Sequence, residues 1–167
     1  MKKLCCLAAL CLILSGCGVQ ETFETIPDIC TQEVSAPPVQ KVALTLPDEA
    51  ATPAMTNGET NAIYLCDGYT VAVQTMDAGN LDKTFRQTTG FGADGLTVMQ
   101  TSAQGIKRYD CVWTAAGEGE DQICRAVILD DGNYHYAVTV MGAASSAGKL
   151  REKWQTILDS ACLVSIG

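Results

Sequence analysis

The chain has 167 residues, with 19 acidic and 11 basic side chains and a formal net charge of −8 at pH 7. An acidic surface repels nucleic acid and anionic lipid head groups, so this composition argues against a nucleic-acid-binding protein. His135 is the only histidine, which excludes a site built from several histidine ligands. We therefore expect no metal and no cofactor.

The N-terminus has the pattern of a secretory signal. Residues 1–3 are a short basic start, and residues 4–14 are an apolar run of eleven residues. Such a run fits a signal segment and is too short to cross a bilayer as a helix, which takes about 20 residues. We predict that residues 1–16 are a signal peptide.

The residues at the end of this segment, Leu14-Ser15-Gly16-Cys17, resemble a bacterial lipobox. The resemblance implies cleavage before Cys17, a diacylglyceryl group on its thiol, and a lipid anchor on the extracytoplasmic face of a membrane. In a cell with two membranes this can be the outer one. The alternative is an ordinary signal peptide with a cysteine nearby by chance.

The mature chain would begin at Cys17 and contain 151 residues. The signal removes Lys2 and Lys3, so nine basic and 19 acidic residues remain, with a net charge of −10. Residues 17–40 are rich in Thr, Glu, Gln, Ser and Pro and have no apolar periodicity, which predicts a flexible linker. Cys30 lies in this linker and is the expected unpaired thiol. We predict a single domain over residues 41–167.

The first half of this domain favours strands and one helix. Asp67-Gly68 is a two-residue hairpin signal, because glycine adopts positive φ without steric cost. Asn80 and Gly90 bound a helix over residues 80–89, with Leu81 and Phe85 on one face. Residues 47–59 are expected to form a turn-rich loop. The predicted strands are 41–46, 62–66 and 69–76.

The second half predicts a four-stranded meander. Its connections are short, at residues 102–105, 116–121 and 130–133, and short connections join antiparallel neighbours. The two acidic turns, 118–121 and 130–131, should lie at opposite ends of the sheet, about 26 Å apart. The predicted strands are 96–101, 106–115, 122–129 and 134–141.

A final amphipathic helix should cover the sheet. Ser145 or Ser146 is the expected N-cap, and Trp154 should be buried against the sheet. Trp113 is also expected in the core. The apolar face at helical spacing consists of Ala147, Leu150, Trp154, Ile157, Leu158 and Ala161.

These elements give an α+β fold, an antiparallel sheet of about six to seven strands with helices packed on it. The hairpin at 67–69, the helix after it, the meander and the closing helix at 153–160 resemble the Mog1/PsbP superfamily, which includes DcrB-like bacterial lipoproteins. The resemblance covers residues 41–167 and implies a sheet sandwiched by helices. It also implies a binding or assembly accessory rather than an enzyme, and it transfers no functional residue.

Five cysteines remain in the mature chain besides Cys17, and export permits disulfides. Cys111 and Cys124 lie on consecutive predicted strands, so a small shift of register would place them opposite each other. Cys66 with Cys162 is a weaker candidate pair. No Cys-x-x-Cys spacing is present, which argues against a thioredoxin-like redox site or a zinc knuckle.

Two segments invite a catalytic or metal-binding interpretation. His135 could serve a nucleophile, but its place in a predicted strand between two tyrosines favours a structural histidine. Residues 130–133, Asp-Asp-Gly-Asn, could suggest calcium, yet they lack spaced ligands and fit a tight turn.

The glycine-rich loop at residues 90–95 follows a helix, whereas a phosphate-binding loop precedes one. The loop therefore predicts a helix end, with Phe91 as a candidate exposed contact.

The sequence thus predicts a lipid-anchored envelope protein with a non-catalytic binding or assembly role. Its partners would be the membrane, through the anchor, and another envelope protein, and no catalytic residue is assigned. Two alternatives stay open. One is an envelope enzyme that uses a cysteine or carboxylates in a cleft, and the other is a structural surface protein without a specific ligand.

Overall fold

The structure is a computed structural model that describes residues 36–166. The predicted signal peptide, Cys17, Cys30 and most of the predicted linker lie outside the described residues. Within them, two short 3₁₀ turns, Asp48–Ala50 and Ala93–Gly95, accompany two helices and nine strands. These are β1 (Gln40–Ala43), β2 (Met55–Asn57), β3 (Asn61–Cys66), β4 (Tyr69–Asp77), α1 (Leu81–Thr89), β5 (Thr97–Ala103), β6 (Ile106–Ala115), β7 (Gln122–Asp130), β8 (Tyr134–Ala143), α2 (Ala144–Ser160) and β9 (Cys162–Ser165).

Seven strands form one antiparallel sheet in the order β2-β3-β4-β8-β7-β6-β5. The predicted α+β class and the four-stranded meander are confirmed. The last strand of the meander, β8, lies between β7 and β4 in the sheet. It pairs with β4 along nine residue pairs and so joins the meander to the strands of the first half. Neither helix in the described part of the chain is long and apolar enough to cross a membrane.

The first and last strands form a separate two-stranded sheet. β1 pairs antiparallel with β9, with Gln40 opposite Ser165 and Ala43 opposite Cys162. The sequence pattern predicts a longer strand at 41–46 and no strand after the final helix. Both differences have one cause. Each strand has four residues and is stabilised by the other, which is more than a hundred residues away in the chain, so the local sequence pattern does not specify where either strand begins or ends.

The predicted loop at 47–59 contains structure of its own. Asp48–Ala50 is a 3₁₀ turn, and β2 adds a three-residue edge strand to β3, with Met55 opposite Ile63. A strand of three residues is too short to show alternation, so the sequence pattern does not reveal it.

The two helices cover opposite faces of the sheet. α2 lies on the face that carries Val71, Val127 and Val138, and Trp154 is buried there as predicted. α1 lies on the other face, where Phe85 packs edge-on against Tyr109 with ring centroids 6.2 Å apart. Trp113 is half-buried beside that second cluster rather than fully enclosed.

The start of α2 differs from the prediction. Its N-cap is Ala143, which makes no side-chain capping bond, and Ser145 lies inside the helix. The Glu120 carboxylate, from the turn between β6 and β7, accepts hydrogen bonds from the Ser145 backbone N–H at 3.2 Å and hydroxyl at 3.1 Å. A carboxylate there satisfies an orphan N–H and complements the positive end of the helix dipole.

Candidate functional site

His135 is the natural starting point for chemistry, and the structure places it in a buried polar cluster. The Thr84 hydroxyl on α1 lies 2.7 Å from His135 Nδ1 on β8. On the other side of the ring, His135 Nε2 is 3.9 Å from a carboxylate oxygen of Asp130, which in turn is 3.6 Å from the Lys107 ammonium. A hydroxyl, an imidazole and a carboxylate therefore stand in the order of a catalytic triad.

The burial of this cluster makes it a structural element. Thr84 is 2% exposed and His135 is 4% exposed, so no substrate atom can approach the hydroxyl. Burial lowers the pKa of His135, an effect that Asp130 and Asp131 oppose and Lys107 reinforces. The neutral imidazole is thus favoured, and its bond to Thr84 attaches α1 to the sheet.

The carboxylates of the acidic turn at 130–133 accept hydrogen bonds from backbone N–H groups of the same hairpin. Asp130 accepts a hydrogen bond from the Gly132 N–H at 2.8 Å, and Asp131 accepts from the Asn133 and Tyr134 N–H groups at 2.9 and 2.7 Å. These bonds shape the hairpin, as expected for Asp, Gly and Asn in a turn. Among residues 36–166, no three His, Cys, Asp or Glu side chains are grouped to hold a metal ion.

The glycine-rich loop after α1 is attached to the helix that precedes it. Asp82 accepts the Ala93 N–H at 2.8 Å through one carboxylate oxygen and pairs with Arg86 at 2.8 Å through the other. An N–H that already donates to a carboxylate is not available to a phosphate. Phe91, in the same loop, is 44% exposed.

The cysteines of the two predicted pairs, Cys111 with Cys124 and Cys66 with Cys162, are free thiols in the structure. Cys111 lies opposite Ala126, and Cys124 lies opposite Trp113, so the first pair is diagonal, two residues out of register. Diagonal residues in antiparallel strands are about 7–8 Å apart, whereas the Cα atoms of a disulfide are usually about 4.4–6.8 Å apart. Burial raises the pKa of Cys111 to about 11 and also raises that of Cys124.

The feature with most capacity for binding is a part of the sheet that neither helix of the described residues covers. α1 packs over β5 to β7, over the start of β8 at His135 and over Met76 near the end of β4. The same face continues across the rest of β8 and β4 and across β3 and β2 without a second layer among residues 36–166. We call this area the open half-face. Two rows of directly opposed residues define it, namely Met55, Ile63 and Ala72 in one row and Leu65, Thr70 and Met141 in the other.

Large apolar side chains on the open half-face are accessible. Met55 is 66% exposed, Leu65 is 63% exposed and Met141 is 36% exposed. A shallow groove of about 300 Å³ crosses β2, β3 and β4 beside Met55, Ile63 and Ala72. Contiguous exposed apolar surface of this kind marks interaction sites, and methionine side chains adapt to different partner shapes.

The segment that forms the open half-face has charge of one sign. Residues 54–80, which include β2, β3 and β4, contain Glu59, Asp67 and Asp77 and no lysine or arginine. Asp67 lies in the turn between β3 and β4, whereas Asp77 lies on the same face of β4 as Val71 and Val73, which is the face that α2 covers, and Glu59 lines a pocket on that side with Val42 and Tyr64. None of the three carboxylates forms an ion pair with another residue of the described range.

The open half-face is not evident from the sequence pattern. The alternation of apolar and polar residues in β3 and β4 predicts that one face of the sheet is buried. It does not predict how much of the other face the nine-residue helix α1 covers. Two signals were present, namely the apolar residues at outward-facing positions, such as Leu65, and a run without cations from residue 42 to residue 82.

Comparisons with known proteins identify the fold and no family. No family model matches the chain, and no curated protein matches it. Among solved structures, the fold resembles that of LpqN, described as involved in cell envelope biogenesis of Mycobacterium tuberculosis. The TM-score is 0.50 and the sequence identity is 9%, over 77% of this chain and 86% of that one. At this identity the similarity shows that the two chains share a fold.

Proposed function

We propose that this protein is a lipid-anchored component of the cell envelope that binds another envelope protein and performs no chemistry of its own. The observation that carries the proposal is the open half-face, where Met55 and Leu65 are each about two-thirds exposed. Leaving such side chains in water costs free energy that a partner would recover by covering them.

The anchor belongs to the same proposal. Leu14-Ser15-Gly16-Cys17 resembles a lipobox, and the Cys17 thiol would carry the lipid at the extracytoplasmic face of a membrane. Two or more acyl chains attach a protein stably to a bilayer, which concentrates the domain near membrane-associated partners. The envelope role of the LpqN structure and the suggested Mog1/PsbP-like architecture are both consistent with an accessory of this kind.

The anchor is tested by metabolic labelling with an alkyne-tagged fatty acid. We expect the mature protein to carry the label and a Cys17→Ser variant to lose it and to fail to fractionate with membranes. A Cys30→Ser variant is the matched control and should keep the label. Label that persists in Cys17→Ser would show that the lipobox interpretation is wrong.

The binding role is tested by chemical cross-linking in intact cells, followed by purification and mass spectrometry. We expect a reproducible protein partner that is lost in a Met55→Gln/Leu65→Gln variant and retained in Phe91→Gln, which removes an exposed apolar side chain elsewhere. A partner lost only with Phe91→Gln would move the binding site to the glycine-rich loop. Turnover of a substrate that depends on His135 or on a thiol would favour the enzyme alternative.

A further inference from the structure

We infer that two copies of this chain associate by pairing their β5 strands antiparallel, edge to edge, around a two-fold axis at Gln100. The contact lies at the opposite edge of the sheet from the open half-face and does not depend on the proposed function. Three observations carry the inference, namely the lack of protection along β5, the backbone groups that β5 leaves free, and the local balance of charge.

β5 (Thr97–Ala103) is an edge strand without the features that usually protect one. It ends the seven-stranded sheet and pairs on one side only, with β6, in a register without a bulge. Its seven residues include no charged side chain and no proline, and six of them are exposed. The other edge strand, β2, has only three residues. Because proteins usually block an exposed edge with lysine, proline, a bulge or a short strand, an unblocked edge such as β5 is a template for another strand.

The turn after β5 shows which of its backbone groups face outward. Residues 104 and 105 both have positive φ, at 52° and 82°, as in a two-residue type I′ hairpin, so the flanking pair of Ala103 with Ile106 is hydrogen-bonded. Hydrogen-bonded and non-hydrogen-bonded pairs alternate along an antiparallel ladder. The β5 residues whose N–H and C=O groups point away from β6 are therefore Val98, Gln100 and Ser102.

These outward groups are centred on Gln100. None of them has another hydrogen-bond partner among residues 36–166, whereas the next residue in the alternation, Leu96, donates its N–H to the Ala93 carbonyl at 3.4 Å. In an antiparallel pair with two-fold symmetry, Gln100 would lie opposite Gln100 of the second copy, and Val98 would lie opposite Ser102. The three pairs would exchange about six hydrogen bonds, two for each pair.

This symmetry favours a second copy over a different protein. A two-fold interface uses the same patch on both subunits, and a strand whose free groups are centred on one residue is complementary to itself. The side chains next to the axis fit the same arrangement. Met99 is 62% exposed on the face away from α1, and it would lie opposite Thr101 and diagonal to Met99 of the second copy, within reach of a long side chain.

Two acidic copies can approach along β5 because charge is balanced there. The chain carries a net charge of −8, yet each charged residue of the neighbouring strand β6 has a partner of opposite sign. Arg108 pairs with Asp110 at 2.9 Å, and Lys107 lies 3.6 Å from Asp130. Neither β5 nor β6 therefore brings an unpaired charge to the contact.

The first test is disulfide trapping of the full-length protein in its native cells, which captures a dimer even if the contact is small and weak. Opposed residues of a hydrogen-bonded pair have Cα atoms about 5.5 Å apart, within the range for a disulfide. We expect Gln100→Cys to give a dimer on mild oxidation, with a peptide that links position 100 of both copies. Thr56→Cys, at the middle of the other edge strand, is the matched control and should give no such link above background.

A backbone variant tests the hydrogen bonds themselves. Gln100→Pro removes an N–H that points away from β6, a change that an edge strand tolerates, and should lower the capture of an untagged copy by a tagged copy about tenfold. Gln100→Ala keeps the N–H and should leave capture unchanged. Equal thermal unfolding temperatures of the two variants would show that the proline variant folds.

A charge exchange distinguishes a second copy from any other partner and does not depend on the proline variant. Gln100→Lys in both copies, or Gln100→Glu in both, places like charges directly opposite each other and should reduce capture about fivefold. A tagged Gln100→Lys copy with an untagged Gln100→Glu copy should restore capture, because the two charges then have opposite sign.

Each outcome has a defined meaning. A link between the two copies at position 100, together with capture that follows the charge exchange, would support the β5 dimer. The inference would be overturned by no link above the Thr56→Cys background, by a link from position 100 to another protein or to residues 17–35 of this chain, or by capture that ignores the charge at position 100. These results leave the proposed function intact, since that proposal is tested at Met55 and Leu65.

Discussion

The Thr84 hydroxyl and the Nδ1 atom of His135 lie 2.7 Å apart, and this hydrogen bond joins α1 to the second residue of β8. Both side chains are buried, so when one of them is removed, the polar atom of the other cannot form a replacement hydrogen bond with water. A contact that resembles part of a catalytic triad therefore acts as an attachment between a helix and a sheet.

Replacing Thr84 with valine should destabilise the protein by about 1–3 kcal/mol, because the imidazole keeps its bulk and loses its partner. Chemical denaturation monitored by circular dichroism measures the change. Thr88→Val is the matched control on the same helix, since the buried Thr88 hydroxyl has no hydrogen-bond partner among the described residues. We expect that variant to be neutral or slightly stabilising. Equal losses in the two variants would contradict the proposed role of the Thr84 bond.

His135 should make stability depend on pH near neutrality. Burial lowers its folded-state pKa below the unfolded value of about 6.5, so the unfolded chain takes up the proton more readily. The stabilisation is fully present above pH 6.5 and is lost as the pH falls from there through the folded pKa. Denaturation midpoints measured between pH 5 and 8 should decrease toward acid. A His135→Gln variant should be nearly flat in that range, because the chain has no other histidine.

A matched pair of leucines should separate the open half-face from the core. Leu65→Ala should change the free energy of unfolding by less than about 0.5 kcal/mol, since the side chain is mostly in water. Leu158→Ala, which leaves a cavity between α2 and the sheet, should cost about 2–5 kcal/mol. Urea titrations of the two variants make the comparison. A large loss in Leu65→Ala would mean that the half-face is covered within the protein itself.

We expect no disulfide between Cys111 and Cys124, and we expect these two buried thiols to react more slowly than the exposed thiol of Cys162. Peptide mapping of the unreduced protein should find no peptide that links those two residues. Brief alkylation of the folded protein should label the exposed Cys162 and spare both buried thiols, whose raised pKa values keep them protonated. Alkylation after unfolding should label all three. A linked 111–124 peptide would require the strands to pair in a different register.

The Glu120 carboxylate should stabilise α2 from outside the helix. Glu120→Gln weakens the bond to the Ser145 N–H and removes the charge at the positive end of the helix, at a cost of about 0.5–1.5 kcal/mol. Glu118→Gln makes the same charge change in the same turn and should have little effect. Thermal unfolding of both variants distinguishes a specific contact from a general effect of net charge.

The sequence predicted the parts of the fold that are local. Asp67-Gly68 and the short turns of the meander specify their hairpins within a few residues, and the apolar face around Trp154 specifies α2. β1 was predicted as part of a longer strand at 41–46. β2, β9 and the pairing of β9 with β1 were not predicted, because three or four residues carry no periodicity and their partners are distant or short. The cap of α2 was wrong for a related reason, since Glu120 reaches Ser145 from a turn 25 residues earlier.

For the candidate site, sequence reasoning gave the residue types but not their arrangement. The sequence pattern favours a structural role for His135, and the burial of that residue against Thr84 supports the interpretation. The glycine-rich loop predicts Phe91 as an exposed contact, and Phe91 is exposed. The larger apolar surface depends on where α1 ends across the sheet, which is decided by packing between Phe85 and residues from Tyr109 to Ala137 on strands that come later in the chain.

The pairing of β1 with β9 has a consequence for how the domain can be attached to anything else. Because Gln40 lies opposite Ser165, the chain before residue 40 and the chain after residue 165 leave the domain side by side. A tether or a fused protein joined at either end would therefore be attached at nearly the same place on the domain. A circular permutant that links these two ends through a short loop, and opens the chain at the exposed turn around Gly105, should keep every strand pairing of the main sheet.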